Sequence, residues 1–297
     1  MFSCKCCGSG RLIPILHNRK DYEYKIERKL NYLKCMNCFY VFASPVPDIE
    51  EIKTFYKKYT THESYDPSFF SKVVSVLSLR FRKKYIRKLF GNEKVEELNI
   101  LDFGTGNGEF LSVLSGLGVC NVYGYDFDQQ AVDYAIKKGF KCYSNLEDVK
   151  NIKFDYIFMN HVVEHLADPK LIVSNLISML AVNGKIVIRT PNTTSLLAVV
   201  FKERWRGWET PRHLALFNKN SLCLFDELKP GFKVKNITTS NLMFIGMYAG
   251  SLNNLMPNKS LRKSFLKVFS LLLLMYAIVA NVINKDIGEE LVFEISN

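Results

Sequence analysis

The sequence lacks a recognisable secretory signal and has only one long apolar run. The first residues run directly into Cys4 without the apolar stretch of a secretory signal, so we expect a cytoplasmic protein. The uncharged run from Val268 to Ile283 is about four residues short of the ~20 that a bilayer-spanning helix needs. Within an insertion at 241–287, this run predicts either a buried or lid helix or a segment at 264–284 that contacts the inner face of the membrane.

The sequence also lacks an excess of acidic side chains. Its 40 lysines and arginines against 29 aspartates and glutamates leave a formal net charge of +11. A basic chain favours anionic partners such as phosphorylated sugars, nucleic acid or lipid headgroups, and the charge balance alone does not choose among them. The length of 297 residues suggests one to two domains with enough chain for a packed core.

The eight cysteines lie in a chain without a predicted export signal, which favours metal ligation over disulfides. Two C-x-x-C knuckles stand 28 residues apart, and each can place two thiolates on one tetrahedral Zn²⁺. We therefore predict a structural zinc ribbon with Cys4, Cys7, Cys35 and Cys38 as ligands. The alternatives to a zinc site are a redox pair and scattered free thiols. Within the first knuckle, Cys4 and Cys6 are a possible alternative to the pair Cys4 and Cys7. The remaining cysteines are expected in the core, namely Cys120, Cys142 and Cys223.

The pattern of the chain divides it into three parts. Residues 1–46 form the predicted ribbon, 47–95 a helical linker or lid with a basic helix, and 96–297 a core in which predicted strands and helices alternate. Such alternation predicts a mostly parallel sheet with helices on both faces, here a Rossmann-like α/β fold of seven strands. The predicted strands are 98–103, 121–126, 140–143, 154–159, 184–190, 232–238 and 289–295, and the predicted helices lie near 108–117, 128–138, 165–181 and 218–229.

A glycine-rich turn follows the first predicted strand of the core. The strand ends at Asp102, and Phe103-Gly104-Thr105-Gly106-Asn107-Gly108 comes next. A second acidic residue, Asp126, ends another apolar run 22 residues after Gly104. Glycines let the backbone approach a ligand without a Cβ clash, and an acid at the end of the second strand accepts hydrogen bonds from ribose hydroxyls. The sequence therefore predicts a nucleotide-type cofactor, although the D-x-G-x-G-x-G spacing differs from the G-x-G-x-x-G of dinucleotide folds.

Three further motifs follow the glycine turn in order: Glu164-His165-Leu166 with Asp168-Pro169, Asn183-Gly184 before Thr190-Pro191-Asn192, and Trp205 to Phe217 with Pro211 and His213. With these motifs, residues 96 to 240 resemble the class I S-adenosylmethionine (SAM) methyltransferases, in the group that includes ubiquinone-type O-methyltransferases and sugar and surface-polysaccharide methyltransferases. The resemblance implies a SAM-dependent methyltransferase. It also implies a set of cofactor-binding residues, namely Asp102, Phe103, Gly104, Thr105, Gly106, Asp126, Phe127, Asn160 and His161.

The same resemblance implies an acceptor and a base. The expected acceptor is a small or medium metabolite, such as a sugar, nucleotide-sugar or lipid-linked glycan, methylated on oxygen or carbon. Such an acceptor needs a general base, and histidine suits neutral pH, so His213 and His165 are the candidates. Sugar C-methyltransferases carry Glu-His where this chain has Arg212-His213, which argues against C-methylation and suits an anionic acceptor. Trp205 and Trp208 are expected to shape the substrate wall.

Other classes of protein compete with this interpretation. His161-x-x-Glu164-His165 spells the H-x-x-E-H motif of inverted zinc proteases, but it directly follows a buried strand instead of lying within a long helix. The segment from Asn160 to Val163 lacks the N/D-P-P-Y/F motif of N6-adenine methyltransferases. A zinc-ribbon RNA methyltransferase and a non-catalytic SAM-binding protein stay open as alternatives, and nucleic acid is not the expected partner.

Overall fold

The computed structural model describes residues 3–22, 26–56, 69–226, 228–241, 243–256 and 286–297, except for the side chains of 69–78. Its strands are β1 (Leu12–Arg19), β2 (Leu30–Cys35), β3 (Val41–Ala43), β4 (Asn99–Phe103), β5 (Asn121–Tyr125), β6 (Lys141–Tyr143), β7 (Phe154–Asn160), β8 (Leu180–Pro191), β9 (Ala215–Leu216), β10 (Lys233–Ser240) and β11 (Glu290–Ser296). Its α-helices are α1 (Ile49–Tyr56), α2 (Phe69–Phe90), α3 (Glu109–Ser115), α4 (Gln129–Lys137), α5 (Pro169–Ile177), α6 (Leu196–Phe201) and α7 (Phe244–Leu255).

Two sheets organise these elements. Seven strands form one sheet in the order β10-β11-β8-β7-β4-β5-β6, and four form another in the order β1-β2-β3-β9. In the larger sheet β4 pairs in parallel with β5 and β7, and β5 pairs in parallel with β6. The last strand, β11, runs antiparallel to β10. The seven-stranded α/β fold predicted from the sequence is confirmed.

The chain divides into two compact units. We call residues 1–59, 161–174 and 188–296 the ribbon unit, and residues 60–160, 175–187 and 297 the glycine-loop unit. The glycine-loop unit has a core of buried apolar side chains from α2, α3, β4 and β7, including Phe90, Ile100, Leu111 and Tyr156. Each fully buried side chain of this kind contributes about 1.5–3 kcal/mol, which fixes β4 and its following turn in place.

The ribbon unit joins the N-terminal strands to a distant part of the chain. β3 pairs with β9 through Val41↔Leu216 and Phe42↔Ala215. Behind this sheet lies an apolar cluster that includes Tyr32, Trp205 and Phe244. The boundaries of the units therefore do not coincide with the predicted divisions at residues 46 and 95, because hydrogen bonds between strands ignore distance along the chain.

Two predicted helices are shorter than their sequence patterns indicate. In place of a helix over 165–181, residues Val163–His165 form a 3-10 helix and α5 begins at Pro169, where proline fits the first helical turn. In place of a helix over 218–229, Lys219–Phe225 form a 3-10 helix capped by Asn218. In both cases the apolar pattern indicates which face is buried. It does not indicate where the helix begins or ends, because proline and capping residues set those boundaries.

The structure also corrects the placement of two cysteines. Cys142 is buried, as predicted, but Cys120 and Cys223 are exposed. Cys120 lies in the turn between α3 and β5, and Cys223 lies on the 3-10 helix that follows Asn218. The apolar residues around each of them misled the prediction.

The predicted insertion at 241–287 is described only in part. Helix α7 covers Phe244–Leu255, while the uncharged run and the segment 264–284 lie outside the described residues. In the described ranges, no helix combines the length and apolar character needed to cross a membrane. Membrane contact by 264–284 stays a prediction.

Candidate functional site

The glycine turn after β4 is built by backbone geometry. Gly104, Gly106 and Gly108 all have positive φ, a region that other residues seldom adopt. The Asp126 carboxylate accepts hydrogen bonds from the Gly106 N–H at 2.8 Å and from the Asp128 N–H at 3.0 Å. The first interaction joins the turn after β4 to the end of β5. Asp126 thus fixes the backbone of the turn, and a carboxylate at the end of this strand is a group that can accept hydrogen bonds from ribose hydroxyls.

Gly124 lies in β5, beside this turn, and was not singled out from the sequence. A Cβ at this position would lie 2.7 Å from Cys142 Sγ and 2.9 Å from Thr105 Cγ2, closer than real Cβ contacts. The motif D-x-G-x-G-x-G does not include Gly124, so only the packing of neighbouring strands reveals that a side chain is excluded there.

Buried polar atoms in the glycine-loop unit fit a polar ligand. Burial raises the pKa of Asp102 to about 7, although the nearby Thr105 and Asn160 side chains oppose the rise. Within the described residues, Thr105 Oγ1 and Asn160 Nδ2 are buried without a well-formed hydrogen bond. Unsatisfied buried polar groups are costly, so these atoms are suited to an incoming ligand with charged or polar groups. Asp102, Thr105 and Asn160 are consistent with the polar end of SAM.

Two other predicted cofactor residues have different surroundings. Phe127 follows Asp126 with 48% of its surface exposed. His161 belongs to the ribbon unit and is held by two carboxylates. The cofactor contact predicted for His161 stays a prediction.

His161 is locked as a cation. Its Nε2 lies 2.8 Å from Glu290 Oε1, and its Nδ1 lies 3.3 Å from Glu164 Oε1. Burial alone would lower the pKa of His161, but its interactions with the two glutamates raise it to about 10. For Glu290, the hydrogen bond and charge of His161 outweigh burial and lower the carboxyl pKa to about 2. An imidazolium that is hydrogen-bonded to Glu290 and lies beside the charge of Glu164 cannot act as a general base at neutral pH.

His165 and His213 form a pair of rings in the ribbon unit. Their centroids are 4.6 Å apart in an edge-to-face arrangement. His165 Nδ1 lies 3.2 Å from the Arg212 carbonyl oxygen, and His213 Nδ1 lies 2.7 Å from the Gly207 carbonyl oxygen. A carbonyl oxygen only accepts, so each Nδ1 carries a proton, and Nε2 is the ring atom that can gain or lose one. Burial and the charge of His213 lower the pKa of His165 to about 4.

Glu209 lies beside His213 and was not singled out from the sequence. Its Oε2 is 3.8 Å from His213 Nε2, and its Oε1 is 3.0 Å from an Arg212 guanidinium nitrogen. Burial opposes ionisation, but the charges of His213 and Arg212 lower the pKa of Glu209 to about 2. The pairing of Arg212 with Glu209 weakens the expectation that Arg212 attracts an anionic acceptor. Only the fold shows that this arginine already has a carboxylate partner.

The Glu164 carboxylate lies close to all three histidines, His161, His165 and His213. This residue is fully buried, and its Oε2 accepts a hydrogen bond from Thr190 Oγ1 at 3.0 Å. Ligand atoms of Glu164, His165 and His213 lie within 4.8 Å of one another, a spacing that could accommodate a divalent cation. The zinc-protease interpretation is not supported, because residues 163–165 form a single 3-10 turn instead of the long helix that this motif requires.

The predicted zinc ligands come together. The sulfurs of Cys4, Cys7, Cys35 and Cys38 lie within 4.8 Å of one another. Cys4 and Cys38 are 3.7 Å apart at sulfur, and Cys7 and Cys35 are 3.6 Å apart. A tetrahedral zinc with Zn–S bonds of ~2.3 Å separates its sulfurs by about 3.8 Å, so the set fits this metal. Cys6 lies outside the set, with its sulfur 3.1 Å from that of Cys223.

A cavity of about 680 Å³ lies within the ribbon unit. Its apolar walls come from β1, β3 and the loop that carries Trp205 and Trp208, and its polar lining comes from lysine, threonine, asparagine and glutamate side chains. Its lining includes Lys34, Phe39, Lys202, Trp205 and Trp208. The same loop carries Gly207, whose carbonyl holds His213. The cavity and the histidine pair thus share one loop.

Comparisons with known proteins point to one family. A family model described as a methyltransferase domain matches residues 77–225, half of the chain. The mitochondrial ubiquinone biosynthesis O-methyltransferase of Dictyostelium discoideum is 28% identical over 193 residues, covering 50% of this chain and 60% of that protein. The ubiquinone biosynthesis O-methyltransferase of Rickettsia prowazekii is 30% identical over 135 residues, covering 41% of this chain and 53% of that protein. The chain thus spans little more than half the length of these curated relatives.

Solved structures with a similar fold include a SAM-dependent methyltransferase from Archaeoglobus fulgidus. It has 19% sequence identity and a TM-score of 0.48, and the alignment covers 75% of this chain and 94% of that one. Membership of the family does not depend on this weaker likeness. The family model alone covers the glycine turn, the strand that ends at Asn160 and the loop that carries His213. From that match, the chain belongs to the methyltransferase domain family, as a class I SAM-dependent methyltransferase.

Proposed function

We propose that this protein transfers the methyl group of SAM to an oxygen atom of a metabolite with an apolar face and an anionic group, such as a nucleotide-sugar or a lipid-linked glycan. The observation that carries the proposal is His213, a buried histidine whose Nδ1 is fixed by the Gly207 carbonyl, so that Nε2 is the ring atom that can exchange a proton. The names of the relatives support oxygen as the methylated atom. A hydroxyl must lose its proton during methylation, and Nε2 can accept it.

SAM supplies an electrophilic methyl group on a sulfonium when it is bound. In the glycine-loop unit, Asp126 would hold the ribose hydroxyls, while Asp102, Thr105 and Asn160 would hold the polar end of the cofactor. Phe127 would cover the adenine ring, since an exposed aromatic side chain can stack on a planar base. These residues bind and orient the cofactor but move no proton.

His213 is a better base than His165. The lowered pKa of His165, about 4, makes that ring a weak proton acceptor near neutral pH. His213 has Glu209 at 3.8 Å, and a nearby carboxylate stabilises the imidazolium that forms when the ring takes a proton. The carbonyl of Gly207 keeps the ring in one orientation, with Nε2 as the basic atom. His165 would then support the ring of His213 through their edge-to-face packing.

The cavity supports an acceptor with both apolar and anionic parts. Its aromatic and aliphatic walls offer the stacking surface that a sugar ring, a base or a lipid chain can use. Among the described residues, Lys34 and Lys202 line it without a carboxylate partner within 4.0 Å. One carboxylate, Glu203, also lines the cavity, so the two ammonium groups leave its charged lining net positive. A net positive lining beside an apolar wall favours a phosphate or carboxylate attached to an apolar body. We place the recognition part of the acceptor there.

The four-cysteine set would hold one structural zinc ion. Its sulfur separations fit a tetrahedral ion, and all four positions are thiolates, as in a closed structural site. The ion would fix the turns that precede β1 and follow β2. Because β3 pairs with β9, this would also stabilise the sheet that supports the cavity.

The proposal is tested with methyl-labelled SAM and two acceptor probes, UDP-glucose and a polyprenyl-phosphate-linked monosaccharide. We expect labelled product with at least one probe, and His213→Gln should reduce its turnover by about 10²–10⁴-fold while the Kd for S-adenosylhomocysteine stays the same. His17→Gln, which alters an exposed histidine on β1, is the matched control and should behave as wild type.

Three outcomes separate the parts of this proposal. No transfer to either probe, despite SAM binding, would contradict the acceptor class. Full turnover by His213→Gln on a working acceptor would contradict its role as base, and His165→Gln is then the parallel test. Loss of S-adenosylhomocysteine binding in His213→Gln would show a structural effect and not an acid–base role.

RNA is the second candidate acceptor, and the basic part of α2 favours it. Arg80, Lys84, Arg87 and Lys88 are exposed on this helix of the glycine-loop unit. If RNA is bound through such residues, its affinity should fall steeply with salt, by about 0.7–0.9 logarithmic units per phosphate contact for each tenfold increase. RNA affinity that is weak and independent of salt would remove this candidate.

A further inference from the structure

Cys6 and Cys223 form a second close pair of sulfurs. Their Sγ atoms are 3.1 Å apart, about 1 Å longer than a disulfide bond of ~2.05 Å. Neither residue belongs to the four-cysteine set, and 217 positions separate them along the chain. The Cys6 thiol also contacts the Ser221 carbonyl oxygen at 3.3 Å, which holds it against the 3-10 helix that carries Cys223.

We propose that Cys6 and Cys223 are a reversible dithiol–disulfide pair, which links the N-terminal knuckle to the 3-10 helix Lys219–Phe225. This modification site lies outside the methyl-transfer chemistry and does not depend on the proposed acceptor. Its oxidant belongs to the class of small-molecule disulfides, such as oxidised glutathione.

The two thiols differ in accessibility, which sets the order of the reaction. Cys223 is exposed, and Cys6 is only partly exposed. The Cys223 thiolate attacks the small disulfide, forms a mixed disulfide and releases one thiolate. Cys6 then attacks the Cys223 sulfur and displaces the second small thiol. One disulfide is reduced to two thiols while the two cysteines lose two hydrogens and gain an S–S bond, so atoms and electrons balance.

The surrounding contacts hold the two partners in register. Asn218 Nδ2 donates to the Phe39 carbonyl oxygen at 2.9 Å, and β3 pairs with β9 just before this helix. Little movement is therefore needed to close the bond. A disulfide across such a large separation removes many conformations from the unfolded chain, so oxidation should raise the midpoint of thermal unfolding.

A metal site is the main rival explanation for the pair. The sulfurs of Cys6, Cys38 and Cys223 lie within 4.8 Å of one another. However, Cys38 also lies 3.7 Å from Cys4 at sulfur and belongs to the four-cysteine set. Without Cys38, Cys6 and Cys223 offer only two ligands. Two thiols at this distance are suited to forming a bond with each other.

The test exposes the full-length, zinc-loaded protein to oxidised glutathione, alkylates the remaining thiols and measures the intact mass and the cross-linked peptides. We expect a product that has lost two hydrogens and has two fewer alkylated thiols, with one peptide pair joined through Cys6 and Cys223. Dithiothreitol should reverse it, and the zinc content should stay constant. The Cys223→Ser variant should form no such product, whereas Cys120→Ser, which removes another exposed cysteine, should form it as wild type does.

Three results would contradict the proposed dithiol–disulfide pair. Stable glutathione adducts on Cys223 with Cys6 still alkylated would show that the second step does not occur. A disulfide that includes Cys38 with loss of zinc would show that the ribbon thiols are the reactive ones. A second zinc ion per chain that disappears in Cys223→Ser would establish the metal site instead. Because Cys223 is exposed, this variant is expected to fold, and SAM binding by it serves as the check.

Discussion

The glycine-loop unit and the ribbon unit assemble their candidate site residues in opposite ways. In the first, Asp102, Gly104, Gly106 and Asp126 lie within 25 residues of one another and are joined by the turn after one strand. In the second, the histidine and acid cluster draws on residues 161–165, 209–213 and 290, and the cysteine set draws on both knuckles. The site in the glycine-loop unit depends on local backbone conformation, whereas the clusters in the ribbon unit depend on contacts between distant segments of the chain. The two units should therefore fail under different perturbations.

Zinc removal is the largest expected perturbation, and it should affect one unit more than the other. Structural zinc sites bind with about 10–16 kcal/mol in small zinc-dependent folds, so stripping the ion should destabilise the ribbon unit strongly. Elemental analysis should give about one zinc per chain, and Cys7→Ser should lose it because a structural site needs four ligands. Cys6→Ser, one position away, should retain the ion.

The S-adenosylhomocysteine affinity of the stripped protein sharpens the comparison. If the two units are independent in this respect, calorimetry should still detect cofactor binding after chelation. Loss of zinc from Cys6→Ser but not from Cys7→Ser would show that the ligand set is wrong.

Asp126→Ala should produce the next largest effect, confined to cofactor binding. The carboxylate fixes the backbone at Gly106 and Asp128, and each hydrogen bond to a charged group contributes about 1.5–3 kcal/mol. Removing it should weaken S-adenosylhomocysteine binding by about 10²-fold in calorimetry. Asp133→Ala is the matched control, because Asp133 is an exposed acid on α4 that bonds only its helical neighbour Gln129 in the described residues. Equal affinity of the wild type and Asp126→Ala would remove Asp126 from the cofactor site.

Gly124→Ala tests whether packing in the glycine-loop unit is as demanding as the contacts indicate. The added methyl group would meet Cys142 Sγ at 2.7 Å, and overpacking of this kind costs about 1–3 kcal/mol. Denaturant unfolding should show that loss. Gly10→Ala is the control, because a Cβ there meets nothing within 4 Å and should change stability by less than about 0.5 kcal/mol. If the free energy of unfolding of Gly124→Ala equals that of the wild type, the neighbouring side chains can move aside at little cost.

A further effect, visible only as the pH is changed, is expected from the His161 ion pairs in the ribbon unit. The folded-state pKa of His161, about 10, lies above its ordinary value of 6.5, so its contribution to stability is fully present below 6.5 and is lost as the pH rises through 10. The stability difference between wild type and His161→Gln should therefore shrink between these values. His17→Gln should show no such trend. A difference that stays constant from pH 6 to 10 would contradict the charged state of His161.

Sequence patterns predicted the glycine-loop unit better than the ribbon unit. The alternation of strands and helices gave the seven-stranded fold, and Asp128 caps α4 as its position indicates, with its side chain accepting from the Gln130 N–H. The pairing of β3 with β9 was missed, because a two-residue strand has no periodicity of its own. Glu209 and Glu290 carry no motif, so their contacts with His213 and His161 could not be predicted.

By itself, the sequence determined the cofactor class, the sheet that carries it and the four cysteines that can share a metal. These depend on backbone turns and fixed spacings, which are local properties of the chain. Only the tertiary structure decided that His161 is a cation between two glutamates, that Arg212 already has a carboxylate partner, and that Cys6 meets Cys223 instead of the ribbon set. Protonation and pairing depend on which charges and sulfurs lie within a few ångströms, and that proximity is created by contacts between segments far apart in the chain.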